Sequence, residues 1–99
     1  MAKTAKQAYN EIKTYMYSYS RLYAFWYVGI TATPETRLFN DHRISKRFDK
    51  WVCVECTNSE SARNTEEALL RLGCDGGSSG GNKTSNYVYA YFKTPSSKP

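Results

Sequence analysis

The sequence has no uninterrupted apolar stretch approaching the ~18 to 20 residues that a bilayer crossing takes. Its longest runs only from Leu22 to Ile30, so a membrane span is excluded. The opening MAKTAKQAYNEIK has no apolar core of the kind a secretory signal needs, and the cytoplasm is the expected compartment. Cysteine is scarce as well. Cys53, Cys56 and Cys74 form an odd set without a repeating spacing, which is not a disulfide framework. Cys53 and Cys56 do make a C-x-x-C, but redox motifs of that form open a helix and zinc motifs need a second ligand pair. Here the pair lies in WVCVEC, which reads as a strand whose residues three apart face opposite sides, so buried structural thiols are expected. Acidic residues are outnumbered, nine against fourteen basic, giving a formal charge of +5 and a pI near 9.2. That balance favours a polyanionic partner such as nucleic acid. No internal repeat is present.

Hydrophobic residues, at 40% with 15% aromatic against 23% charged, are plentiful enough for a folded chain, and 99 residues give room for one core and no second domain. We expect a single domain over residues 1–93 and a frayed tail over 94–99. Thr4 and Gln7 have capping-box spacing, and Ala8, Ile12 and Met16 recur at helical steps, so a first helix is expected from about Thr4 to Ser18. LYAFWYVGI, apolar throughout and rich in aromatic and branched residues, reads as a strand covered on both faces; Gly29 near its end would let another backbone come close. Thr33 followed by Pro34 is a cap and first-turn proline, opening a second helix to about Ile44. WVCVECT is the second strand. Thr57 and Glu60 have capping-box spacing for a third helix that ends at Gly73. CDGGSSGGNKTSN is a loop, and it is not a phosphate-binding loop, because Asn82 separates Gly81 from Lys83 and the segment leads into a strand. NYVYAYF alternates with period two and is the last strand. The class is therefore α/β (α+β), a three-stranded sheet flanked by three helices in the order α-β-α-β-α-β.

Several side chains stand out. On the third helix Ala62, Glu66, Leu69 and Gly73 share a stripe while Glu67 turns away, so Glu66 is the inward carboxylate, either a rim residue or a ligand. Arg37 either pairs with Asp41 four residues on or aims its planar fork of donors at a phosphate. His42, between Leu38 and Phe39 in helical projection, is either a satisfied core-edge imidazole or a proton carrier. Arg43, Lys46 and Arg47, in the basic stretch that follows, and Lys83 in the loop are candidate nucleic-acid contacts.

The segment W-YVGIT-ATPETRLFNDHRI, with ARNTEEALLRLG after one intervening strand, resembles the core of a GIY-YIG nuclease domain from Trp26 to about Leu72. Tyr27, Val28 and Gly29 resemble the second half of the signature. Arg37 falls ten positions after Tyr27, where that family places its helix arginine, and His42 lies one residue later than the commonest histidine or tyrosine position. Glu66 matches the metal-holding glutamate. The resemblance implies a metal-dependent endonuclease hydrolysing DNA phosphodiesters. Glu66 would hold one Mg²⁺ or Mn²⁺ ion with several waters, Arg37 would neutralise the phosphate, and Tyr27 with a second phenol or His42 would deprotonate water.

The family's first strand, bearing GIY, has no counterpart, and a helix stands in its place. We expect NYVYAYF to take the missing edge position beside Tyr27, so that Tyr87 or Tyr89 supplies the second phenol. The alternative function is a catalytically inactive module of the same fold that binds nucleic acid, DNA ahead of RNA, or a protein, as a phage or mobile-element accessory or anti-defence protein would.

Overall fold

The computed structural model describes residues 2–19, 22–47, 49–76, 85–95 and 97. The first helix, α1 (Ala5–Tyr19), is closed at its start by the expected box: the Gln7 amide donates to Thr4 Oγ1 at 3.3 Å and the Thr4 amide to Gln7 Oε1 at 3.0 Å. The run after it does not form one long strand. Tyr23–Phe25 is a single 3₁₀ turn, and only Trp26–Thr31 (β1) is extended, with all six residues buried. This matches a strand covered on both faces.

After β2 (Trp51–Glu55), the helix α2 (Ser59–Leu72) is capped by Asn58 rather than Thr57, with the Asn58 side chain accepting from the Ser61 amide at 2.7 Å. Thr57 instead shares a hydroxyl contact with Ser61. Asparagine ranks above threonine as a cap, and the extended backbone at Asn58 aims its oxygen correctly. Asn58→Ala is expected to lower stability by about 1 kcal/mol in urea unfolding, whereas Thr57→Ala should be nearly silent. Gly73 closes the helix at a φ of 124°, where a side chain would be strained.

The sheet holds four strands rather than three. Asp75–Gly76 (β3), expected as loop, pairs in parallel with Tyr27 and Val28, and β4 (Tyr87–Phe92) completes the order β2-β4-β1-β3. The last strand does lie beside β1, antiparallel with Tyr27 opposite Tyr91 and Gly29 opposite Tyr89, but at the centre of the sheet instead of its edge. The outer side of β2 is guarded. The Lys3 amide donates to the Glu55 carbonyl at 2.8 Å, the Thr57 amide to the Lys3 carbonyl at 2.9 Å, and the Trp51 amide to the Tyr15 hydroxyl at 3.1 Å. Edge groups satisfied in this way do not recruit another chain.

Period-two alternation sorts the strands into two faces. Trp26, Val28, Ile30, Val54, Val88 and Ala90 pack under α1 and α2 with Ile12, Met16 and Leu69. Tyr27, Tyr89 and Tyr91 point the other way, covered by Leu38 and Ile44. Cys53 faces this second layer and Cys56 the first, as expected for strand residues three apart. All three cysteines are free, and burial pushes the thiols up, Cys53 to about 12 and Cys74 to about 11. Neither is a reactive thiolate at neutral pH. Of the tail, Thr94 and Ser97 close a turn, while residues 96, 98 and 99 lie outside the described residues.

Candidate active site on the phenol face of the sheet

The helical segment after β1 is shorter than expected and wound differently. Its residues Thr36–Asp41 form a π turn, in which the His42 amide donates to the Arg37 carbonyl, five residues back, at 3.0 Å. In such a turn residues i and i+5 stand one above the other, as i and i+4 do in an α-helix. The extra residue between Arg37 and His42 is absorbed, and both side chains reach the same phenol, Tyr89. Arg43 follows in the left-handed region, φ 58°, and ends the turn, after which Ile44 packs back on the phenols.

His42 is 1% exposed and lies between two equally buried phenols. Its Nε2 is 2.7 Å from the Tyr89 oxygen and its Nδ1 3.1 Å from the Tyr91 oxygen. Tyr27 completes the group, with its ring stacked on Tyr91 at 5.3 Å and 5.0 Å from the imidazole. Burial pushes the Tyr89 phenol up to about 12, with Arg37 pulling against it and the Tyr27 and Glu66 charges adding to it. Burial raises Tyr91 as well, with Tyr27 and Tyr89 acting in the same direction. A phenol so shifted is not a standing phenolate at neutral pH.

Arg37 sits at the exposed lip of this cluster. Burial alone would lower its pKa, but the Tyr89 oxygen and the Asp41 carboxylate outweigh it and the net shift is upward. The expected pair with Asp41 is present at 3.2 Å, and the guanidinium also rests on Tyr89. That exposed ion pair is worth only a few tenths of a kcal/mol, so a phosphate can displace it cheaply.

Gly29 has a different role from the one expected. It admits no second backbone; the Tyr89 ring crosses it, and a Cβ at position 29 would stand 2.6 Å from Tyr89 Cζ and closer still to the hydroxyl oxygen. The glycine is the seat of the phenol. Tyr91 escaped sequence reasoning, and the signal was available, since Tyr87, Tyr89 and Tyr91 alternate in register.

Glu66 is inward, as its helical stripe requires, and 5% exposed. It rides on α2, whose layer covers the sheet face opposite the phenols. The two are nonetheless coupled, because the Glu66 charge raises the Tyr89 pKa. One carboxylate oxygen, Oε2, is buried with no hydrogen-bond partner. Burial raises its own pKa, with Arg63 opposing and Glu67 adding. An orphaned carboxylate oxygen suits a hydrated divalent cation, which needs few protein ligands. Among the described residues no group of three or more His, Cys, Asp or Glu side chains could hold a metal ion.

Arg43, Lys46 and Arg47 are exposed, and Lys46 lies 5.6 Å above the Phe39 ring. Lys83 lies outside the described residues, as does the glycine-rich stretch after Gly76. No helix among the described residues is long and apolar enough to cross a membrane. Compared with protein-family models, with curated proteins and with solved structures, the chain finds no match.

Proposed function

We propose that the protein is a divergent GIY-YIG-type endonuclease that hydrolyses DNA phosphodiester bonds in the cytoplasm with one Mg²⁺ or Mn²⁺ ion. The observation that carries this reading is the chain Arg37–Tyr89–His42, a permanent cation at the exposed end of a buried proton-transfer path. Glu66, buried, partly unpartnered and coupled to the same phenol, supports it.

Arg37 would exchange Asp41 for two phosphate oxygens and neutralise charge that grows on them in the transition state. Because burial keeps Tyr89 protonated, its phenol serves as a relay: as a water admitted when Arg37 turns from Tyr89 to the phosphate gives a proton to the Tyr89 oxygen, the Tyr89 hydrogen passes to His42 Nε2. The resulting hydroxide oxygen bonds to phosphorus, the bond to the departing oxygen breaks, and that oxygen takes a proton from solvent. His42 is left as imidazolium. Tyr27, the least buried of the three phenols, would orient the water. A cation at Glu66, when bound, would lie in the layer opposite the phenols and add positive charge that acts on the site through Tyr89. Arg43, Lys46 and Arg47 would track the DNA backbone.

The test is cleavage of plasmid and single-stranded DNA with Mg²⁺ or Mn²⁺ by the wild type, Arg37→Ala and Glu66→Ala. We expect loss of roughly 100-fold or more in each variant with the fold intact. Wild type without cleavage would end the hydrolase reading. The second reading, a binding module, draws on the near-complete burial of Tyr89 and on Glu66 belonging to the opposite layer. It expects DNA or protein capture without turnover.

A further inference from the structure

We propose that Tyr91 is a positioning residue whose phenol oxygen holds the Nδ1 hydrogen of His42, leaving Nε2 unprotonated to accept from the Tyr89 hydroxyl. This deepens the hydrolase reading and rests on it for its kinetic consequence, but the tautomer can be measured without activity.

Neutral imidazole carries one hydrogen on two nitrogens, and its neighbours decide which. Three observations point the same way. A guanidinium can only donate, so the Tyr89 oxygen is an acceptor toward Arg37. Both phenols are 1% exposed, so neither gives its hydrogen to bulk water, and the one whose oxygen is already engaged by Arg37, Tyr89, has His42 Nε2 2.7 Å away to receive its hydrogen. That distance suits a hydroxyl donor, while the 3.1 Å between Nδ1 and the Tyr91 oxygen suits an N–H donor. Nδ1 then carries the hydrogen, and Tyr91 is its acceptor.

The rings against the imidazole are Tyr27 from β1 and Tyr89 and Tyr91 from β4, and the charged groups on its own turn, Arg37 and Asp41, pair with each other, with Arg37 also acting on Tyr89. Glu66 of α2 acts on Tyr89, and Asp75 of β3 acts on Tyr91. Removing the Tyr91 hydroxyl takes away the oxygen that stands 3.1 Å from Nδ1. The hydrogen then moves to Nε2, which donates to Tyr89 instead of accepting from it, and the phenol can no longer hand a proton inward. A side chain that merely fills space would not do this.

The chain has a single histidine, so ¹⁵N-histidine labelling reports His42 alone. Two-bond proton–nitrogen correlation above the imidazole's titration should show the wild-type hydrogen mainly on Nδ1, and Tyr91→Phe should shift it toward Nε2. In the cleavage assay, Tyr91→Phe should lower kcat about 10- to 100-fold with KM little changed, as misplacing a catalytic tautomer does. Wild-type hydrogen on Nε2, or an unaltered distribution in a folded Tyr91→Phe, would overturn the inference, as would an active enzyme indifferent to the substitution. If Tyr91→Phe does not fold, the wild-type tautomer decides. Absence of wild-type cleavage bears on the hydrolase reading alone.

Discussion

Gly29→Ala is expected to destabilise the protein by about 1 to 3 kcal/mol, the range for overpacking a filled interior, and, on the proposed hydrolase reading, to abolish most cleavage. The added methyl would stand 2.6 Å from Tyr89 Cζ and 3.0 Å from Cε2. The ring cannot swing aside easily, being 1% exposed and tied through its oxygen to His42 and Arg37. Either the strands part or the phenol leaves the relay. A shift of about 1 Å in a reacting group already lowers rates by ~100-fold. Thermal melts and cleavage rates should therefore fall together. The cause can be isolated with Tyr89→Leu, which removes the clashing ring. In the double variant the cost of Gly29→Ala should shrink by more than ~1 kcal/mol, a coupling characteristic of residues in contact. Additive effects would show that Gly29 has some other structural task.

Glu66→Gln is expected to raise stability and, on the proposed hydrolase reading, to remove cleavage. Burial holds the Glu66 carboxyl above its ordinary value of 4.5, so the folded chain keeps the proton to a higher pH than the unfolded chain does. Below about 4.5 both states are protonated and the charge costs nothing. As pH rises through the folded value, the charge has to sit beside an oxygen without a partner, and stability falls. The neutral amide avoids that loss. At pH 7 Glu66→Gln should be more stable by about 1 kcal/mol, or a Tm higher by ~4 to 8 °C, and the gain should vanish in acid. Added Mg²⁺ should raise the wild-type Tm and leave the variant unchanged, since a ligand bound to the native state stabilises it by mass action. A variant less stable than wild type at neutral pH would show instead that the carboxylate is a structural partner of Arg63.

How much of this was legible beforehand follows from the range of the forces involved. The capping box at Thr4, the stop at Gly73 and the inward turn of Glu66 all depend on residues within one or two helical turns, and each was readable from spacing. The 3₁₀ turn at Tyr23–Phe25 was not, because its residues have strand propensity and only the pairing partners of β1 decide where extension begins. Asn58 displaced Thr57 as the cap through a one-residue shift that spacing alone does not resolve.

The candidate site divides the same way. Composition and pattern by themselves determined a folded α/β chain without a membrane-spanning helix among the described residues and its basic balance, and marked Arg37, His42 and Glu66 as candidates, while Tyr27 entered through the resemblance to the GIY-YIG core. Only the tertiary structure brought β4 between β1 and β2, laid Tyr89 across Gly29, and wound Thr36–Asp41 so that Arg37 and His42 meet one phenol. It also set Glu66 in the opposite layer and gave Tyr91 its partner. The reason is physical: periodicity reports which face a side chain takes, while the register between strands 60 residues apart is set by packing across the whole sheet, which no local window contains.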